Sequence, residues 1–182
     1  MNYCSSCGEK VSLVIPEGDN RHRHVCHSCD TIHYENPKIV TGCIPEWQDK
    51  ILLCKRAIEP RIGLWTLPAG FMENSETNIA GAARETEEEA NAQVDNMQLF
   101  SVFSIAHINQ VYTMYRGDLV AGEASPGIES LDVALLTEDQ IPWENLAFQV
   151  ITETLKLYYK DKKQGSFSTH YGDITKQADN SF

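Results

Sequence analysis

The sequence predicts an α/β or α+β domain that follows a small cysteine-rich module. Three observations support this fold class. Hydrophobic residues make up 42% of the 182 residues, strand-like and helix-like patterns alternate through 39–160, and two C-x2-C pairs fall within 1–34. This length and composition allow one globular core. No segment approaches about 18 consecutive apolar residues, so we expect no membrane-spanning helix.

The chain divides into three predicted parts. Residues 1–34 are rich in cysteine and histidine, 39–160 carry most of the aliphatic side chains, and 161–182 are mostly polar. The stretch 35–38 is a short linker, and 176–182 are expected to fray. The first residues show no basic start followed by an apolar run, so we expect a cytoplasmic protein.

The two cysteine pairs predict a metal site. Cys4 and Cys7 are separated from Cys26 and Cys29 by residues 8–25. Four thiolates at this spacing suit a closed tetrahedral site, which is typical of structural Zn2+ and leaves no position for a catalytic water. About 34 residues also bury too little surface to fold without such a staple. The alternative is a disulfide pair or four unrelated thiols, which a reducing compartment disfavours.

Elements of the main part follow from hydrophobic periodicity and turn residues. The predicted strands cover 39–45, 50–56, 98–105, 110–120 and 131–136, and 121–127 is a loop with Gly, Ser and Pro. The predicted helices cover 78–90 and 143–160, with Gly165 able to end the second.

The first helix carries the most informative pattern. Thr77 can cap its start, and Asn91 suits the left-handed conformation at its end. Glu85, Glu88 and Glu89 stand at i, i+3 and i+4, within an arc of about 100°. Such carboxylates repel one another unless a cation lies among them, and hard oxygen ligands suit Mg2+ or Mn2+. The alternative is an ordinary solvated acidic face.

Net charge limits the possible ligands. Fifteen basic against 26 acidic residues give −11, so the chain is a poor non-specific binder of nucleic acid. An acidic protein can still bind an anionic substrate through bound metal ions. We therefore expect a small anionic molecule as the partner and no membrane contact.

The residues around this helix resemble a known motif. Gly70, Glu76, Arg84-Glu85-Thr86 and Glu88-Glu89 keep the register of the Nudix box, G-x5-E-x7-R-E-U-x-E-E-x-G-U. Asn91 stands where the box has Gly, and Thr86 and Ala92 replace apolar positions. The resemblance implies the Nudix fold, with a mixed β-sheet sandwiched between helices, and hydrolysis of a diphosphate.

The resemblance also implies roles for particular residues. Glu85, Glu88 and Glu89, with the carbonyl oxygen of Ala69, would bind the catalytic Mg2+ or Mn2+. Structural roles fall on Gly70 and on an ion pair between Glu76 and Arg84.

Further candidates have weaker support. Asp132 or Glu129 is the candidate for a fourth catalytic carboxylate, with Asp132 favoured. Arg56 and Arg61 are candidates for binding a phosphate, and Phe71 is one for the base.

A zinc ribbon before a Nudix domain is similar to two groups. The NADH pyrophosphatases have a signature, S-Q-P-W-P-F-P-x-S, that is missing from 103–111. The plant chloroplast-type Nudix hydrolase is similar over 4–174, which implies cleavage of FAD to AMP and FMN, or of ADP-ribose, and a possible homodimer. Three alternatives stay open: an NADH/NAD-type pyrophosphatase, an RNA-cap-directed enzyme with a nucleic-acid-binding ribbon, and a non-catalytic ADP-ribose sensor.

Overall fold

The computed structural model describes residues 1–175, so the predicted fraying of 176–182 lies outside the described residues. The chain separates into two compact units, Met1–Pro37 and the remainder from Lys38 onward. Within the described residues, no helix is long and apolar enough to cross a membrane.

The first unit is a small antiparallel sheet. Its strands are β1 (Val11–Val14), β2 (Arg23–Cys26) and β3 (Ile32–His33), in that spatial order. The two cysteine pairs belong to this unit, and Cys4 and Cys26 are buried. Few large apolar side chains contribute to it, which agrees with its need for a staple.

The second unit is built on an eight-stranded mixed sheet. Its main path runs β10-β5-β4-β9-β8-β11, with β6 paired to β5 and β7 to β4. Two parallel pairs, β4 with β9 and β8 with β11, occur among antiparallel neighbours. The strands are β4 (Lys38–Trp47), β5 (Lys50–Arg56), β6 (Trp65–Thr66), β7 (Ala69–Phe71), β8 (Val94–Ile105), β9 (Gln110–Leu119), β10 (Ser130–Leu136) and β11 (His170–Asp173).

Two helices cover opposite faces of this sheet. Helix α1 (Asn78–Ala90) contributes Ala90 to an apolar cluster with Leu52. Helix α2 (Gln149–Gln164) contributes Leu155 to the main core with Ile51. Successive side chains of a strand point to opposite faces, so the neighbouring residues Ile51 and Leu52 on β5 place the two helices on different sides. The predicted mixed sheet between helices is confirmed.

The structure corrects the predicted start of the second helix. Residues Trp143–Asn145 form a separate 3-10 turn, and α2 begins only at Gln149. Tertiary contacts hold this segment out of the helix. Ala147 N–H donates to the Trp65 carbonyl oxygen at 2.8 Å, and Trp143 packs edge-on against Tyr159. The helix also runs past the predicted end at 160 to Gln164, where Gly165 adopts φ +70° and ends it, as the sequence allowed.

Strand β11 is a further correction. It lies within the segment that the sequence assigned to a polar tail, and it adds a parallel edge to β8. Its four residues, His-Tyr-Gly-Asp, carry no apolar alternation. Pairing with β8 and a bond from His170 Nε2 to Asp161 hold it in place.

Candidate active site and metal centres

Both ends of α1 are fixed by side chains. Thr77 Oγ1 accepts a hydrogen bond from Ala80 N–H at 3.2 Å, as its position predicts. At the other end, Asn91 adopts φ +46° and its amide donates to the carbonyl oxygens of Ser125 and Pro126. Asparagine thus supplies the left-handed conformation and also fastens the following loop. The register of the glutamates is therefore held at both ends.

Arg84 binds three carboxylates, one in the loop before α1 and two on the helix itself. Its guanidinium lies 3.0 Å from Glu76, 2.7 Å from Glu85 and 2.8 Å from Glu88. It also donates to the carbonyl oxygen of Phe71 at 3.2 Å. These bonds tie the strand–helix loop to the helix and hold the pKa of Glu76 below its usual range.

Two of the three glutamates are buried. Glu85 is 8% exposed and Glu89 is 7% exposed, whereas Glu88 reaches solvent. A Cβ at Gly70 would overlap the Glu85 carboxylate, so only glycine allows β7 to approach it. Burial raises the pKa of Glu89 to about 8, and the nearby charge of Glu85 adds to this effect.

This geometry fits a divalent cation. Among the described residues, Glu89 Oε2 is buried and has no hydrogen-bond partner. An unpaired buried carboxylate oxygen is costly, and a bound cation removes that cost. The carboxylates of Glu85 and Glu89 provide the hard oxygen donors that Mg2+ and Mn2+ prefer.

A cleft of about 1240 Å³ opens beside these glutamates. Glu85, Glu88, Glu89 and Glu129 line its acidic part. Apolar side chains line the rest, including those of Val40, Ile105, Tyr112, Phe148 and Ile174. Diphosphate and base can therefore be accommodated in one continuous space.

The structure places some of the further candidate residues at the cleft and others outside its lining. Arg56, Phe71 and Glu129 line the cleft, and neither Asp132 nor Arg61 is part of that lining. The favoured fourth carboxylate, Asp132, instead accepts a hydrogen bond from Val133 N–H at 2.9 Å. A register shift between Ser130 and Asp132 turns this part of β10 away from its regular pairing. Glu129 is thus the carboxylate that the structure brings to the other three.

The loop before Glu129 has a role that the sequence did not reveal. Gly127 N–H donates to the Glu89 carbonyl oxygen at 3.0 Å, and Ser125 N–H donates to that of Ala90 at 2.8 Å. A Cβ at Gly127 would overlap the Glu88 carbonyl oxygen. The Pro-Gly dipeptide indicated a turn here, but not that the turn caps the glutamate helix.

The four paired cysteines come together in the first unit. Their sulfur atoms all lie within 4.8 Å of one another, with Cys4 and Cys29 3.7 Å apart. His33 Nε2 lies 3.3 Å from Cys4 Sγ, close enough to donate a hydrogen bond to the thiolate. All six cysteines of the chain are free thiols. The four-sulfur set suits structural zinc, and the disulfide alternative is absent from the described residues.

Comparison with known families decides the classification. A model described as NUDIX domain matches residues 36–152, and one described as Nudix N-terminal zinc ribbon matches residues 2–35. The chain belongs to the Nudix family.

Two of the proteins that are similar to this chain have names that state an activity. The NAD-capped RNA hydrolase NudC of Photobacterium profundum is 31% identical over 163 residues, covering 86% of this chain and 59% of that protein. The ADP-ribose pyrophosphatase of Methanocaldococcus jannaschii is 29% identical over 121 residues, covering 63% of this chain and 69% of that protein. The chain thus spans about three fifths of the length of its NudC relative.

A solved structure resembles nearly the whole chain. The crystal structure of a NUDIX hydrolase from Nitrosomonas europaea has a TM-score of 0.93 and 54% identity, covering 97% of this chain and 100% of that one. The predicted resemblance to a plant chloroplast-type hydrolase gains no support from these relatives, which are bacterial or archaeal.

Proposed function

We propose that this Nudix hydrolase cleaves the diphosphate that links adenosine to a second moiety. Mg2+ or Mn2+ would be held by Glu85, Glu88, Glu89 and the carbonyl oxygen of Ala69. One observation carries the proposal: the unpartnered, buried oxygen of Glu89 lies beside Glu85 at the acidic end of a large cleft. The box keeps all three glutamates, which disfavours a non-catalytic sensor.

Different side chains of the protein would bind the metal ions, hold the glutamates in place and contact the substrate. Bound divalent ions would neutralise the diphosphate and activate a water for attack on phosphorus. Arg84 keeps Glu85 and Glu88 at fixed separations through its two short ion pairs. Arg56, whose guanidinium lies 5.2 Å from the Phe148 ring centre, supplies a positive charge within the cleft.

Glu129 is our candidate for accepting the proton of the attacking water. Its carboxylate lines the cleft, and no described hydrogen bond or ion pair occupies it. Burial raises the pKa of both Glu85 and Glu89, and the charge of Glu129 adds to this rise. Glu85 and Glu89 line the same cleft as Glu129. A group in this position has the access that a general base requires.

Product analysis tests the proposed reaction. Purified full-length chain is incubated with saturating Mg2+ or Mn2+ and, separately, ADP-ribose, NADH and FAD. We expect AMP with ribose 5-phosphate from ADP-ribose and AMP with the reduced nicotinamide mononucleotide from NADH. The relatives' names support these two substrates over FAD, whose cleavage to AMP and FMN the same assay detects. Lack of AMP from all three would refute the proposal.

A second candidate substrate is NAD-capped RNA. The name of the Photobacterium relative supports it, although the net charge of −11 opposes strong binding of the RNA body. The test compares kcat/KM for an NAD-capped oligonucleotide with that for free NAD over a range of salt concentrations. A preference for the capped RNA that falls steeply with salt would support contact with its phosphates.

Zinc in the first unit is proposed to be structural. The four sulfurs supply a complete tetrahedral ligand set, so no position is left for a water or substrate. Dimerisation of the chain stays a prediction.

A further inference from the structure

The last described strand leads directly into the cleft. Strand β11 pairs in parallel with residues 101–104 of β8, and the N–H of Ile174 then donates to the Ser104 carbonyl oxygen at 2.8 Å. Ile174 is buried, Thr175 is exposed, and both line the cleft. Ile174 and Thr175 therefore form one wall of the cleft.

This wall lies far from the glutamates. The strand register crosses the sheet from β7, beside the Glu85 carboxylate, to β11 in four steps through Gly70, Thr41, Thr113, Val102 and Tyr171. Neighbouring strands lie about 4.8 Å apart, so Tyr171 on β11 is roughly 19 Å along the sheet from Gly70. Because Ile174 and Thr175 directly follow this strand, we expect them to contact the part of a substrate that extends away from the diphosphate.

The chemistry of the wall suits a heteroaromatic base. Ile105 and Ile174 provide apolar surface, Thr175 carries a hydroxyl group, and the aromatic rings of Tyr112 and Phe148 line the same cleft. Apolar faces with a few placed polar groups are typical of sites that bind planar ligands.

A buried carboxylate on α2 holds β11 in place. Asp161, which is buried on α2, accepts hydrogen bonds from Ser168 N–H at 3.0 Å and from His170 Nε2 at 2.8 Å. The His170 ring also packs edge-on against Phe100, with ring centres 5.2 Å apart. Asp161 is not part of the cleft lining, so it can affect the substrate only through the position of β11.

We propose that Ile174 and Thr175, the two residues that follow β11, form a specificity element that contacts the adenine of the substrate. Asp161 is a positioning residue that holds this element through Ser168 and His170. This inference rests on the proposed function, because it assumes an adenosine diphosphate derivative in the cleft.

Steady-state kinetics of full-length variants test the contact. The substrate is whichever adenosine diphosphate derivative the wild type cleaves fastest, at saturating Mg2+. Thr175→Trp adds bulk at an exposed wall position and is expected to raise KM at least about fivefold, with kcat within about twofold of wild type. Ile174→Val removes one methyl group and is expected to raise KM about fourfold. Tyr171→Ala is the matched control, since Tyr171 is on the same strand, is 87% exposed and lies outside the cleft lining.

A double-mutant cycle tests the positioning role. Asp161→Asn keeps the shape of the side chain but removes its charge, and we expect KM to rise about fivefold with little change in kcat. If Asp161 acts only through the wall, the KM effects of Asp161→Asn and Thr175→Trp will not multiply in the double variant.

Three outcomes would overturn the inference: unchanged KM in both wall variants, an equal rise in Tyr171→Ala, or fully multiplicative effects in the double variant. A wild type that cleaves no adenosine diphosphate derivative would instead refute the proposed function itself. The two failures are therefore distinguishable within one set of assays.

Discussion

A substitution at Gly127 tests whether the loop before Glu129 holds α1, the helix that carries the glutamates, in place. A Cβ at this position would overlap the Glu88 carbonyl oxygen and lie 2.8 Å from the Glu88 carbonyl carbon. Carbon atoms in contact are ordinarily about 3.5 Å apart, so in Gly127→Ala this carbon contact alone would push the loop back by about 0.7 Å. The closer overlap with the carbonyl oxygen requires a larger movement. This movement also stretches the bond from Gly127 N–H to the Glu89 carbonyl oxygen.

The magnitude follows from these contacts. Overpacking costs about 1–3 kcal/mol and a weakened hydrogen bond about 1 kcal/mol. The reduced freedom of the unfolded alanine chain offsets about 0.4–1 kcal/mol. We therefore expect a net loss of about 2 kcal/mol, which lowers Tm by about 4–8 °C in a chain of this size.

Activity should fall together with stability. Glu129 follows the displaced glycine closely and lines the cleft. A shift of its carboxylate is expected to lower kcat by about 10–100-fold. Thermal denaturation and steady-state hydrolysis measure the two effects. Ile128→Ala is the stability control, because Ile128 is the next residue and is 99% exposed. If Gly127→Ala kept both the Tm and the kcat of the wild type, the proposed clamp on the helix would be wrong.

Three further predictions concern the two metal centres. Glu89→Gln should lower kcat by about 10²-fold or more at saturating Mg2+; wild-type turnover in that assay would remove Glu89 from the site. In protein stripped of metal, the pKa of Glu89 is near 8, above the usual carboxyl value of about 4.3. At a pH between these two values, the folded state therefore keeps a proton on Glu89 that the unfolded state has lost. The Tm should therefore fall as pH rises from about 5 to 8.5, and Glu89→Gln should flatten that fall in calorimetry. Cys26→Ser should reduce zinc content by elemental analysis, whereas Cys43→Ser, at a buried position of β4, should leave it unchanged; equal loss in both variants would contradict the four-sulfur site.

Arg84 links the sequence motif to the chemistry. Its guanidinium contacts three carboxylates, including two that the proposal assigns to metal binding. The arginine therefore offsets repulsion among these acidic groups. Its bond to Glu76 is the part that remains independent of metal, since Glu76 lies outside the proposed ligand set.

Local patterns determined much of this protein. The helix from Asn78 to Ala90 and its caps could be predicted because capping and side-chain periodicity depend on residues within one or two turns. The cysteine site could be predicted for a similar reason, since each C-x2-C pair forms its own turn. The sequence therefore predicted both proposed metal-binding clusters, the glutamates of α1 and the four cysteines, without any tertiary structure.

Contacts between distant parts of the chain decided the rest. The choice of Glu129 over Asp132 depends on a register shift in β10, which no local pattern encodes. The late start of α2 depends on a bond to the distant Trp65. Strand β11 carries no alternating pattern of its own. Pairing with β8 and the bond from His170 to Asp161 hold this polar segment in place, and the next residues, Ile174 and Thr175, line the cleft. The amino-acid sequence by itself determines which chemical groups are available. Packing between distant segments decides which side chains share the substrate space, because that depends on partners the local chain does not contain.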